Sequence, residues 1–142
     1  MNNIEDVVLF QIDKTSKMSK IYSQKELDRL DFGLTVDQWI LMKIIHENPQ
    51  ISQKELADKS LRDPASITRT LDLLAKKGFT ERHAIPNDRR KYSIALTKSG
   101  NDFISKHMDT IISHRKNSIN GLTKSEVKEL TTLLKKIQAN FE

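Results

Sequence analysis

Pro86-Asn87-Asp88-Arg89-Arg90-Lys91 joins a reverse-turn signal to three consecutive cations. Proline presets φ, and Asn and Asp bond their own backbone in tight turns. Tyr92, Ile94 and Leu96 then alternate with Ser93 and Ala95, the period of a half-buried strand. Like charges at a hairpin tip repel, which suits either a solvated loop or a finger that touches something anionic. Upstream, Ala65, Ser66, Thr68 and Arg69 set small, hydroxyl-bearing and cationic side chains close together. Both sets are suited to binding rather than turnover. The chain has no Ser-His-Asp constellation of identifiable order, no Gly-rich phosphate loop and no metal-ligand spacing. His46, His83, His107 and His114 include no pair at i, i+4, so neither a metal site nor a cofactor is expected.

The elements that must position these groups are marked by their caps. Thr35 with Gln38, Ser52 with Glu55, and Thr123 with Glu126 each form a capping-box pattern. The flanking pairs Leu34/Trp39, Ile51/Leu56 and Leu122/Val127 stand where hydrophobic staples belong. Asp63-Pro64 starts another helix by a different route, Asp as cap and Pro at the first helical position. That helix should run to about Lys77, with Gly78 as its stop. Strands are expected over Phe79–Ile85 and Tyr92–Leu96. Thr97 can cap a long helix to about Asn117, and a last helix spans about 124–140. Gly100, near the start of the long helix, costs about 1 kcal/mol relative to Ala, which points to close packing there. The first 30 residues form a helix with an imperfect apolar stripe. The fold class is therefore mainly α with a small β-hairpin wing, in the order α-α-α-α-β-β-α-α.

Charge follows the same map. The net charge is +5, and residues 51–100 hold 11 Lys/Arg against 6 Asp/Glu, whereas the first fifty hold 6 against 8. A basic excess around the hairpin favours an anionic partner. There is no cysteine, which excludes disulfides, thiolate zinc sites and thiol-oxidation sensing. The N-terminus MNNIED leads into no long apolar run, so a cytoplasmic protein without membrane association is expected.

Two short helices followed by a basic hairpin make a helix-turn-helix with a wing. On the second helix Ile67, Leu71 and Leu74 share one side, leaving Ala65, Ser66, Thr68, Arg69, Asp72 and Lys76 outward or flanking. A helix that enters the major groove of double-stranded DNA needs this arrangement. Ser52 and Gln53 could offer donors to a phosphate. Arg89, Arg90 and Lys91 would reach the backbone and the adjacent minor groove.

Residues 52–100 resemble the MarR family of bacterial transcriptional regulators. Asp88, Arg90, Leu96 and Thr97 fit that family's D-x-R-x-x-x-x-x-L-T wing pattern, and "LDLLAKKGFTER" fits its recognition-helix exit. The segment "DKSLRD" between the two helices departs from the family by lacking the glycine often seen there. The resemblance implies a winged helix-turn-helix over 34–97, and a helical dimerisation region over 1–33 and 98–142. It also implies a homodimeric repressor on a pseudo-palindromic operator. Arg90 matches the minor-groove arginine, Asp88 the acid that orders the wing, and Ser66, Thr68 and Arg69 the recognition-helix contacts. Family members often bind small aromatic or other anionic effectors where the two regions meet; here Met18, Tyr22 and Trp39 are the candidates for that pocket. The competing reading is a winged-helix module that binds protein through the same surface, which an exposed apolar recognition face would favour.

Overall fold

The computed structural model describes residues 3–142, and of Arg89 and Arg90 the backbone alone. A short 3-10 turn, Ile4–Asp6, precedes α1 (Val8–Arg29). Then follow α2 (Val36–Glu47), β1 (Ile51–Ser52), α3 (Gln53–Ser60), α4 (Pro64–Lys76), β2 (Thr80–Ile85), β3 (Asp88–Leu96), α5 (Lys98–Ser118) and α6 (Lys124–Ala139). This is the expected order with two additions, the 3-10 turn and β1. The three strands form an antiparallel sheet in the order β1-β3-β2, with Ile51 opposite Ile94 and Ser52 opposite Ser93. A two-residue strand carries no periodicity, so it is invisible to pattern reading.

The chain divides into two compact units, Met1–Met108 and Asp109–Glu142, with the division inside α5. The core of the first unit is Leu41, Met42 and Ile45 of α2, Leu56 of α3, Ile67, Leu71 and Leu74 of α4, and Ile94 of β3, all fully buried. Two capping boxes close as expected. Thr35 Oγ1 accepts from the Gln38 N–H at 3.2 Å while Gln38 Oε1 accepts from the Thr35 N–H at 2.9 Å. Thr123 and Glu126 make the same exchange at 3.1 and 2.8 Å. The third box is half-formed: Ser52 Oγ accepts from the Glu55 N–H at 3.0 Å, with no capping box. Ser52 ends a strand paired with β3, so its backbone lies along a ladder rather than at a free helix entrance.

The hairpin also departs from expectation. Its turn is confined to Pro86 and Asn87, and β3 resumes at Asp88. Asn87 takes φ +71°, which with Pro86 before it satisfies the left-handed third position of a type II turn. The three cations thus follow Asp88 among the first residues of a strand and are not members of the turn. A bulge between Ala84 and Ile85 shifts the register beside them.

The second unit holds the end of α5, a link through Gly121 and the capped α6. Within the described residues no helix is long and apolar enough to cross a membrane.

Candidate nucleic-acid interface

α4 presents one face by construction. Asp63 Oδ1 accepts from the Ser66 N–H at 2.9 Å, and Pro64 occupies the first turn, where a missing N–H costs nothing. That hydrogen bond holds the Asp63 carboxyl below the ordinary aspartate range, with the Arg69 charge acting in the same direction. Ile67, Thr70, Leu71 and Leu74 are buried, while Ala65, Thr68 and Arg69 are exposed and Ser66 is half-buried. The exposed set begins in the first turn of the helix, the part that contacts base edges when such a helix enters a groove.

The hydroxyls on this face are already engaged. Arg62 donates to Ser66 Oγ from Nε at 3.1 Å and from Nη2 at 2.5 Å, and Nη2 also donates to Thr70 Oγ1 at 2.9 Å. Both acceptor positions of Ser66 are then filled, and its O–H remains as a donor. Thr68 Oγ1 donates to the Pro64 carbonyl at 3.0 Å and accepts from Gln53 Nε2 at 2.9 Å. Gln53 therefore braces α3 against the reading face of α4. Ser52 Oγ accepts the cap hydrogen bond of α3 and keeps its own hydrogen to donate. Arg69 and Ala65 are exposed and have no side-chain hydrogen bond or ion pair among the described residues.

The turn between α3 and α4 resolves the missing glycine. Leu61 itself takes the left-handed conformation, φ +53° and ψ +39°, and is 92% exposed. An L-residue there is strained by roughly 1–2 kcal/mol, and no apolar contact is gained in return.

The wing is tied to the helix by Arg82 on β2, whose Nη2 donates to Asp72 Oδ1 of α4 at 3.0 Å. Both side chains are exposed, so the pair orients more than it stabilises. Asp88 opens β3 and lies 3.9 Å from Lys91 Nζ; Lys91 is exposed. The side chains of Arg89 and Arg90 lie outside the described residues. Thr97 anchors the base of the wing. Its N–H donates to the Phe79 carbonyl at 3.0 Å, its hydroxyl donates to the Gly78 carbonyl at 2.5 Å, and the hydroxyl accepts from the Gly100 N–H at 3.1 Å.

Of the effector-pocket candidates, Met18 and Tyr22 are exposed on α1 and Trp39 is buried in α2. Trp39 belongs to an aromatic group: its ring lies 5.6 Å from Phe32, which lies 5.3 Å from Phe103. His107 sits against Phe103 and Phe32 at 4.5 and 4.6 Å, and burial pushes its pKa down. A cleft of about 420 Å³ opens nearby, lined in part by Leu27, Asp31, Phe32, Leu34, Gln38 and Lys77.

Sequence reasoning passed over Arg62 and Arg82, and placed Asp72 on the outward side of α4 without a partner. For Arg62 a signal existed: it precedes Ser66 by four residues and Thr70 by eight, the spacing of one helical side.

Residues 34–92 match the model of the MarR family. The chain matches that model through α2, α3, α4 and β2, the helix-turn-helix and the first strand of the wing. Among solved structures of the MarR fold, it is similar to a mutant MarR from E. coli complexed with operator DNA. Those chains are 29% identical, with 89% of this chain and 90% of that one covered and a TM-score of 0.79. A MarR/EmrR family transcriptional regulator from Acinetobacter sp. ADP1 superposes at a TM-score of 0.88, with 24% identity over 98% of this chain and 97% of that one. A MepR–DNA complex from S. aureus shares the fold at 18% identity and a TM-score of 0.81, over 94% and 98% of the two chains.

Proposed function

We propose that this chain is a MarR-family, sequence-specific regulator of transcription that binds a pseudo-palindromic operator as a homodimer, represses from it, and is modulated by a small aromatic or anionic effector. The observation that carries the reading is the exposed Thr68-Arg69 face of α4, capped, braced by Gln53 and flanked by a basic wing. The assigned contacts are Ser52, Gln53, Ala65, Ser66, Thr68, Arg69, Arg89, Arg90 and Lys91, with Asp88 ordering the wing. The helix-turn-helix and wing occupy 34–97.

The dimerisation role of 1–33 and 98–142 is supported by apolar groups that each unit leaves in water. On α1, Val8 and Met18 are both 61% exposed; in the second unit, Leu130 and Leu133 are about half exposed and Phe141 is 71% exposed. Removing such groups from water yields roughly 25 cal/mol per Å², and a two-fold operator requires a two-fold protein. The effector reading is supported by the cleft beside the aromatic group.

Selection from a randomised duplex pool at physiological salt tests the reading. A two-fold symmetric motif with half-sites about one helical turn apart is expected, bound with a salt dependence that reflects phosphate contacts. Failure of the folded protein to enrich any motif would overturn sequence-specific binding and leave nonspecific DNA binding or the protein-binding module.

A further inference from the structure

Thr68 is exposed on the face of α4 assigned to DNA, and the direction of its hydrogen bonding can be worked out. A hydroxyl has one hydrogen to give and two lone pairs to receive with. The Pro64 carbonyl can only accept, and it lies 3.0 Å from Thr68 Oγ1, so the single hydrogen goes there. The remaining close partner, Gln53 Nε2 at 2.9 Å, is therefore a donor and fills one lone pair. What Thr68 still offers to a partner outside the protein is one acceptor position. Ser66, two residues away, is left in the opposite state, because Arg62 fills its acceptor side.

This direction has a consequence in DNA. Phosphate oxygens only accept, so a hydroxyl with no hydrogen to give makes no favourable phosphate contact. In the major groove the available donors are the exocyclic amines, N6 of adenine and N4 of cytosine; the other edge groups are acceptors or the thymine methyl. We infer that Thr68 is a specificity-determining residue that receives a hydrogen bond from the N6 amine of adenine or the N4 amine of cytosine, with Gln53 and Pro64 as the groups that hold it in that direction. This inference rests on the proposed DNA-binding function and adds the chemical group read, an exocyclic amine. Toward this amine Gln53 is a positioning residue that acts through Thr68, and the second hydrogen of its Nε2 remains for the contact assigned to it above.

The experiment uses the full-length protein and the motif recovered by selection. The pool is selected again with Thr68→Val, which keeps the shape and the methyl group but lacks the hydroxyl, and with Thr68→Ser, which keeps the hydroxyl. Every Watson–Crick pair carries one such amine, on adenine or on cytosine, so the test is whether the base preference at one position per half-site depends on the Thr68 hydroxyl. That preference should flatten with Thr68→Val, persist with Thr68→Ser, and leave the other positions unchanged. The base is then replaced in the wild-type site by its analogue without the amine, purine for adenine or 2-pyrimidinone for cytosine. Removing the amine should weaken wild-type binding about tenfold, the upper range for one neutral hydrogen bond, and should leave Thr68→Val unaffected. Thermal melting confirms that the variants are folded. Equal loss on amine removal for wild type and Thr68→Val would overturn the inference, as would a uniform loss of affinity with an unchanged motif. In both cases the selected motif itself would keep the regulator reading intact. Absence of any motif with the wild-type protein would overturn both.

Discussion

Replacing Gly100 with alanine separates helix propensity from packing, because the two act in opposite directions. By propensity alone the change should stabilise α5 by about 1 kcal/mol. The structure argues otherwise. A Cβ built at Gly100 would lie 2.2 Å from the Phe79 carbonyl oxygen, 3.1 Å from the carbon of that carbonyl and 3.3 Å from Leu96 Cβ. Two of these three neighbours are backbone atoms, which cannot turn aside as a side-chain tip can. That carbonyl accepts the Thr97 N–H, and Thr97 in turn caps Gly100 and bonds Gly78. Moving it disturbs a joint where the exit of α4, the end of β3 and the entrance of α5 meet. Overpacking typically costs 1–3 kcal/mol, and each hydrogen bond loosened adds about 1 kcal/mol. With one hydrogen bond loosened and the propensity gain set against it, a net loss of about 1–3 kcal/mol is expected. At about 2–4 °C per kcal/mol for a chain of this size, the melting temperature should fall by roughly 2–12 °C. The assay is thermal unfolding followed by circular dichroism at fixed protein concentration, since association would make the midpoint concentration-dependent. Ser99→Ala, at the exposed neighbouring position, serves as the control. A variant as stable as wild type, or more stable, would refute the close approach of α5 to Phe79.

Leu61→Gly should stabilise the protein by about 0.5–1 kcal/mol, since relief of the left-handed strain outweighs the added freedom of the unfolded chain; a lower midpoint in urea would count against the strain. Burial lowers the pKa of His107, so the folded state binds its proton less readily than the unfolded state does. The associated stability is present above the unfolded value near 6.5 and is lost as pH falls through the folded one. Melting temperatures of wild type and His107→Gln should therefore converge between pH 7.5 and 5.5, and a constant gap would refute the coupling. Asp63 follows the same sign in a more acidic window, because its cap bond is present above the ordinary aspartate range and lost as pH falls through its lowered pKa. Asp63→Asn keeps an N-cap oxygen and should flatten the acid limb of the stability profile. Arg90→Ala should weaken operator binding by about 1–3 kcal/mol if it makes a groove contact, and unchanged affinity in a fluorescence titration would remove the wing from recognition.

The boundaries of the helices were legible because their signals are local. Thr35 with Gln38, Thr123 with Glu126 and Asp63 with Pro64 each complete their bonds within one turn of chain, so residue type and spacing suffice. Pro86-Asn87 announced its turn for the same reason, although the short turn returned the cations to a strand. Gly100 was suspected from its cost, but the obstacle that explains it, the Phe79 carbonyl, appears only once α5 is laid against the exit of α4. The candidate interface divides in the same way. Ser66, Thr68 and Arg69 could be singled out by type, and their place on one capped helix follows from the pattern. Which of their hydrogen bonds remain to be made could not be read from the sequence. Gln53 reaches Thr68 across fifteen residues, and β1 finds β3 only after the helices between them have packed. A side chain's type states how many hydrogen bonds it can make. Only the tertiary structure, by bringing Gln53 to Thr68 and Arg62 to Ser66, decides which of them are already spent.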